Sequence, residues 1–130
     1  MKTKEGQLGL VSGGEMAVGE AFCIFGYQYH DDGNYKTFDQ LLLRGKATEF
    51  ATNRIRSSLI SDEFFYAQKV NLPILSCRLG TWYSSDLYVP LHEFCDLRPA
   101  TAQEIIEMEC FGELEKLVSD FERAKAKGEW

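Results

Sequence analysis

From Glu20 to Tyr29 the run Glu20-Ala-Phe-Cys-Ile-Phe-Gly-Tyr-Gln-Tyr29 is apolar on both faces of an extended chain. Phe22 and Ile24 fall on one side, and Cys23, Phe25, Tyr27 and Tyr29 on the other. This pattern predicts a central strand with partners beside it and a layer above or below. The run closes on His30-Asp31-Asp32-Gly33-Asn34, where Gly33 and Asn34 tolerate positive φ and aspartates bond nearby amides, so the chain should reverse. Two patterns then overlap. Tyr35 to Phe38 reads as the returning strand, while Thr37-x-x-Gln40 ahead of Leu41-Leu42-Leu43 reads as a capping box opening a short helix that stops at Gly45. The expectation is a strand start running into one or two helical turns. A clearer helix spans Thr48 to Ile60, where Ala51, Ile55 and Leu59 recur on one side and Arg54 and Arg56 point elsewhere.

Farther on, Phe64 to Val70 reads as a strand stopped by Asn71-Leu72-Pro73, and 74–85 as an irregular connection. Pro90 demotes the first half of the next apolar stretch, leaving a strand from Leu91 to Leu97. Thr101 and Glu104 form a capping box ahead of the strongest pattern in the chain, the stripe Ile106, Cys110, Leu114, Leu117, Val118 and Phe121. Gly112 interrupts that helix at a cost of about 1 kcal/mol relative to Ala and marks a kink or split; Gly128 ends it. The whole predicts a single small α+β domain over residues 16–130. It would be an antiparallel sheet of roughly three to five strands, packed by two or more helices that include a long C-terminal one. Residues 1–15 are Gly-rich and read as a flexible arm or leader, in which Leu8, Leu10 and Val11 leave a short edge strand open.

A chain of 130 residues with 45% hydrophobic and 26% charged positions can bury a core without staples. The formal charge of −6 disfavours direct nucleic-acid or anionic-membrane binding and favours basic partners. Charge is uneven: Lys36, Arg44, Lys46, Arg54 and Arg56 face only Asp39 and Glu49 between positions 36 and 58. Two helices around Gly45 would also spell helix-turn-helix, but the negative balance and the missing basic recognition face argue against DNA. Cys23, Cys77, Cys95 and Cys110 lie far apart without a Cys-x-x-Cys pair and read as reduced thiols of a cytoplasmic protein. No stretch approaches a membrane span.

Histidines are the natural place to look for catalysis. His30 adjoins Asp31 and Asp32, and His92 precedes Glu93, so either can serve as a general base or ligand; no nucleophile motif stands near them. A zinc site joining His92 and Cys95 to Cys77 or Cys110 rests on one His-x-x-Cys spacing, and core thiols explain the cysteines better. Neither a metal nor a cofactor is implied, and no catalytic residue is assigned. The aromatics point another way. Trp82, Tyr83, Tyr88 and Trp130 fall in loop-like or terminal segments, and such side chains anchor protein interfaces.

The segments Tyr27-x-Tyr29-His30-Asp31-Asp32-Gly33-Asn34-Tyr35-Lys36, Val70-Asn71-Leu72-Pro73 and His92-Glu93-Phe94 together resemble a pattern in small uncharacterised proteins of bacteria and bacteriophages. No functional residue carries over from that resemblance. By analogy it implies a mobile-element protein, of which inhibitors of host defence such as anti-CRISPR proteins are a recurring kind. The expectation is therefore a non-enzymatic acidic inhibitor that blocks a basic surface of a protein partner. Its contact would run through Trp82, Tyr83, Asp86 and Tyr88, with Asp31 and Asp32 as a second edge. The alternative is a small intracellular enzyme or ligand-binding domain using His30, His92 and nearby carboxylates.

Overall fold

β1 (Phe22–His30) forms from the doubly apolar run and takes the centre of the sheet. The computed structural model describes residues 21–30, 36–75 and 91–130. The N-terminal arm with its possible Leu8 to Val11 strand, the Asp31 to Asn34 turn and most of the 74–85 connection lie outside the described residues. β2 (Lys36–Arg44) returns antiparallel to β1 in unbroken register, from His30 opposite Lys36 to Phe22 opposite Arg44. The helical turns expected after Gln40 are therefore strand. Leu41, Leu42 and Leu43 are all buried, Leu41 and Leu43 in the main core and Leu42 beside Ile24 on the other face. A capping preference is worth about 1 kcal/mol, and a nine-residue ladder whose Leu41–Leu43 stretch is buried on both faces outweighs it. With that helix gone, the described residues hold no helix-turn-helix.

α1 (Glu49–Ser57) is capped by Thr48, whose Oγ1 accepts from the Ala51 amide at 3.0 Å, and it buries Ala51 and Ile55. It stops short of Ile60, which bridges to Phe64 across a tight turn with Ser61 and Asp62 at φ 53° and 62°. β3 (Phe64–Tyr66) is shorter than expected, because Ala67–Val70 winds into a 3₁₀ turn. Three residues per turn put Ala67 and Val70 on the same side, and both are buried. β4 (Leu91–Pro99) lies antiparallel between β3 and β1.

The capping box holds as expected. Thr101 Oγ1 accepts from the Glu104 amide, and Glu104 Oε1 accepts from the Thr101 amide, opening α2 (Ala102–Glu107). The long helix is split, however. The chain leaves α2 at Met108, runs as β5 (Cys110–Glu113) parallel to β2, and only then enters α3 (Leu114–Ala126). Among the described residues the architecture is a mixed sheet in the order β3-β4-β1-β2-β5 with three α-helices, an α+β fold.

The main core lies between α1, α3 and the sheet face carrying Cys23, Phe25, Tyr27 and Tyr29. Phe25 meets the rings of Phe65, Phe94 and Phe121 at 5.4–6.4 Å. Arg54 ties the two helices, donating from Nε and Nη2 to Glu122 at 2.8 Å and from both terminal nitrogens to Glu115 at 3.0 Å. Trp130, one of the four aromatics in loop-like or terminal segments, tucks onto the core: it packs edge-on against Phe121 and Tyr66 and donates Nε1–H to the Ser58 carbonyl at 2.9 Å.

Candidate functional site

Opposite the main core, the even-numbered positions of β1 and β2 make the second face of the sheet. Near Phe22 it is covered. Ile24 and Leu42 stand side by side and buried, and Arg98, across from Ile24 on β4, is gripped by Glu104 of α2 at 2.9 and 2.6 Å. Those bonds, with the Thr101 amide second, hold the Glu104 carboxyl down to about 2.

Farther along, the same face enters solvent. One cross-strand row is Gln40, Gly26 and Asp96, and the next is Phe38, Gln28 and Glu93. Phe38 is 49% exposed and Leu91 39%. Gln28 Nε2 donates to Glu93 Oε1 at 2.8 Å and fixes that carboxylate. A β-carbon placed on Gly26 would stand 2.6 Å from Asp96 Oδ1 and 3.4 Å from Phe38 Cζ, so both side chains lie across bare backbone. Register shifts in β4 between Asp96 and Phe94, leaving Cys95 as the extra residue of a bulge that sets Asp96 opposite Gly26. Among the described residues neither Glu93 nor Asp96 has an ion-pair partner. Their field is felt locally: burial first, then Glu93 and Asp96, pushes the Cys95 thiol up. The result is an exposed aromatic ring on β2 and, across β1, the β4 carboxylates Glu93 and Asp96, the latter near enough to Arg98 to add to the upward push that Glu104 gives its pKa.

Comparison with family models, curated proteins and solved structures finds no match to this chain.

Asp31, Asp32, Trp82, Tyr83, Asp86 and Tyr88 all lie outside the described residues. Their points of attachment do not. His30 ends β1 opposite Lys36 at the start of β2, and β4 begins at Leu91, two residues before the pairing of Glu93 with Gln28. Both connections that carry the six residues thus join the sheet at the end where Phe38 is exposed.

Among the described residues His92 lies in the aromatic core. It is fully buried, its Nε2 accepts from the Leu75 amide at 3.0 Å, and the rings of Tyr29, Tyr27 and Phe65 surround it at 5.3–6.1 Å. A nitrogen engaged this way holds the segment before residue 76 onto β4. Cys23 is buried too, and burial, with Cys110 second, pushes its thiol up to about 11, which leaves almost no thiolate near neutrality. Among the described residues no three His, Cys, Asp or Glu side chains are grouped to hold a metal, and none of the helices is long and apolar enough to cross a membrane. Phe38, Gln28, Gln40 and Asp96 escaped the sequence reading. The signal was there in β2, where Lys36, Phe38 and Gln40 alternate out of phase with Leu41 and Leu43.

Proposed function

We propose that this protein is a non-enzymatic binding protein that uses the open half of its sheet to cover a basic surface of a protein partner in the cytoplasm. The observation that carries the reading is the exposed Phe38 ring, which lies over Gly26 toward Asp96, with Glu93 across Gln28 and neither carboxylate in an ion pair among the described residues. A ring so placed accepts the stem of a lysine or the plane of an arginine, while Glu93 and Asp96 receive the charged heads. Asp31, Asp32, Trp82, Tyr83, Asp86 and Tyr88 stay in the proposed contact because the segments that carry them attach to the sheet at His30, Lys36 and Leu91. Blocking a basic surface is how an acidic protein displaces nucleic acid from its binder, which agrees with the resemblance to bacterial and phage proteins and with a defence-inhibitor role.

Two measurements test the reading. Titration of labelled protein with an alternating Arg-Gly peptide is expected to shift the amides of Gly26, Gln28, Phe38 and Asp96, and the Phe38→Ala/Asp96→Asn variant to lose the response with an unchanged circular-dichroism spectrum. A photo-crosslinking amino acid at position 38, introduced in the cell of origin, is expected to trap a protein at a Lys/Arg-rich surface. Peptide shifts confined to other faces, or a trapped protein joined at an acidic surface, would overturn it.

A further inference from the structure

At the opposite end of the sheet the strand ends gather around a cleft of about 590 Å³. The register explains why: Arg44 pairs across to Phe22 on one side and to Glu113 on the other, while Pro99 sits beside Cys23. The loop after β2 and the start of α2 close it, adding Lys46, Ala47 and Ile105. The walls are mostly apolar, from Phe22, Ala47, Pro99 and Ile105. Among the described residues its lining charges are Arg44, Lys46 and Glu113. Arg44 is paired with Glu113 and lies over the Phe22 ring at 5.9 Å. Lys46 is exposed and has no acidic partner among the described residues.

We infer that this cleft binds a small apolar monocarboxylate, its body against Phe22 and Ile105 and its head on Lys46, within reach of Arg44. The volume is that of an ordinary small-molecule site, and an apolar lining with few convergent polar groups is the usual composition of one. The charge selects the ligand. Among the described lining residues two cations, Arg44 and Lys46, stand against one anion, Glu113, an excess of one positive charge that suits a monoanion. A phosphate dianion would meet Glu113 and the field of the whole protein with its second charge, and a cationic amphiphile would meet Lys46. Because the cleft lies at the other end of the sheet from Phe38, the inference stands apart from the partner-binding reading.

Octanoate is the probe, with octylamine and octanol as charge controls, followed by amide shifts of the full chain. Octanoate is expected to saturate shifts at Phe22, Gly45, Lys46, Ala100 and Ile105 while Gly26 and Phe38 stay still. Lys46→Gln, a change at an exposed side chain, should weaken it about tenfold with the spectrum of the free protein intact outside the loop. Ile105→Ser, on the short helix α2, should weaken octanoate and octanol alike. Shifts that do not saturate, equal binding of octylamine, or unchanged affinity in Lys46→Gln would each overturn the assignment.

Discussion

At the scale of single residues, Gly26 separates what the open face needs from what the fold needs. Its missing side chain leaves room for Asp96 and Phe38 to lie across β1, and Gly26→Ala would put a methyl 2.6 Å from the Asp96 carboxylate oxygen. That oxygen ends an exposed side chain and can swing away, and Ala suits a strand better than Gly does. Stability should therefore change by no more than about 1 kcal/mol. Binding of the Arg-Gly peptide should nonetheless fall, because ring and carboxylate are displaced together; a variant that binds as the parent does would show that their placement over Gly26 is immaterial. His92 shows the reverse case. His92→Phe keeps a ring among Tyr27, Tyr29 and Phe65 but strands the buried Leu75 amide, which should cost about 1–3 kcal/mol in urea unfolding without altering peptide binding. An unchanged midpoint would mean the amide finds another acceptor.

At the scale of elements, α2 is held by few groups and responds to acid accordingly. None of its residues is buried, Ile106 is 79% exposed, and its grip on the sheet is the Arg98–Glu104 pair. The folded carboxyl titrates at about 2 against an ordinary 4.5, so the contribution of this pair is complete above pH 4.5 and is lost as pH falls through about 2. A carboxyl-carbon titration of Glu104 should show that low midpoint, and Arg98→Ala should move it up toward 4.5. A midpoint near 4.5 in the parent protein would mean the pair does not persist in solution. The Arg54 bonds likewise depress Glu115 and Glu122, so α1 and α3 loosen in the same direction. At Asp120 burial pushes the carboxyl up, but hydrogen bonds from Lys116, Arg123 and Asn71 outweigh it.

Legibility also divides by element. β1 could be read because both faces of an alternating run are apolar, and the Thr101–Glu104 box because capping is a local matter. Leu41 to Leu43 misled because three consecutive leucines fit a helix face and a doubly covered strand equally, and only the ladder to β1 decides between them. The stripe through Ile106, Cys110 and Leu114 misled because spacings of four continued through three separate elements; pairing of Cys110 with Leu42 draws the middle one out as a strand. Phe38 was hidden by the same misreading of β2. Its exposure follows from the alternation of Lys36, Phe38 and Gln40 against Leu41 and Leu43, which is readable only once residues 41–43 are taken as strand.

Across the whole molecule, net charge and the open face act on different rates. On the proposed reading the formal charge of −6 would attract a basic partner from a distance, whereas Phe38 would act only in contact. At 0.1 M salt the screening length is about 10 Å, so added salt should weaken the approach while leaving the packed ring nearly untouched. For the Arg-Gly peptide, raising salt from 0.05 to 0.5 M is expected to slow association roughly tenfold with a much smaller change in dissociation. Glu93→Gln/Asp96→Asn should flatten that salt dependence because the two carboxylates nearest the contact are gone. Phe38→Ala should leave the salt slope alone and speed dissociation, since the ring it removes lies on the surface and carries no charge. Stopped-flow measurement of the three proteins separates these effects. If Phe38→Ala instead flattened the salt slope, or the double carboxylate variant changed only dissociation, the division of labour between ring and carboxylates would be wrong, and the contact would have to lie on another face of the sheet.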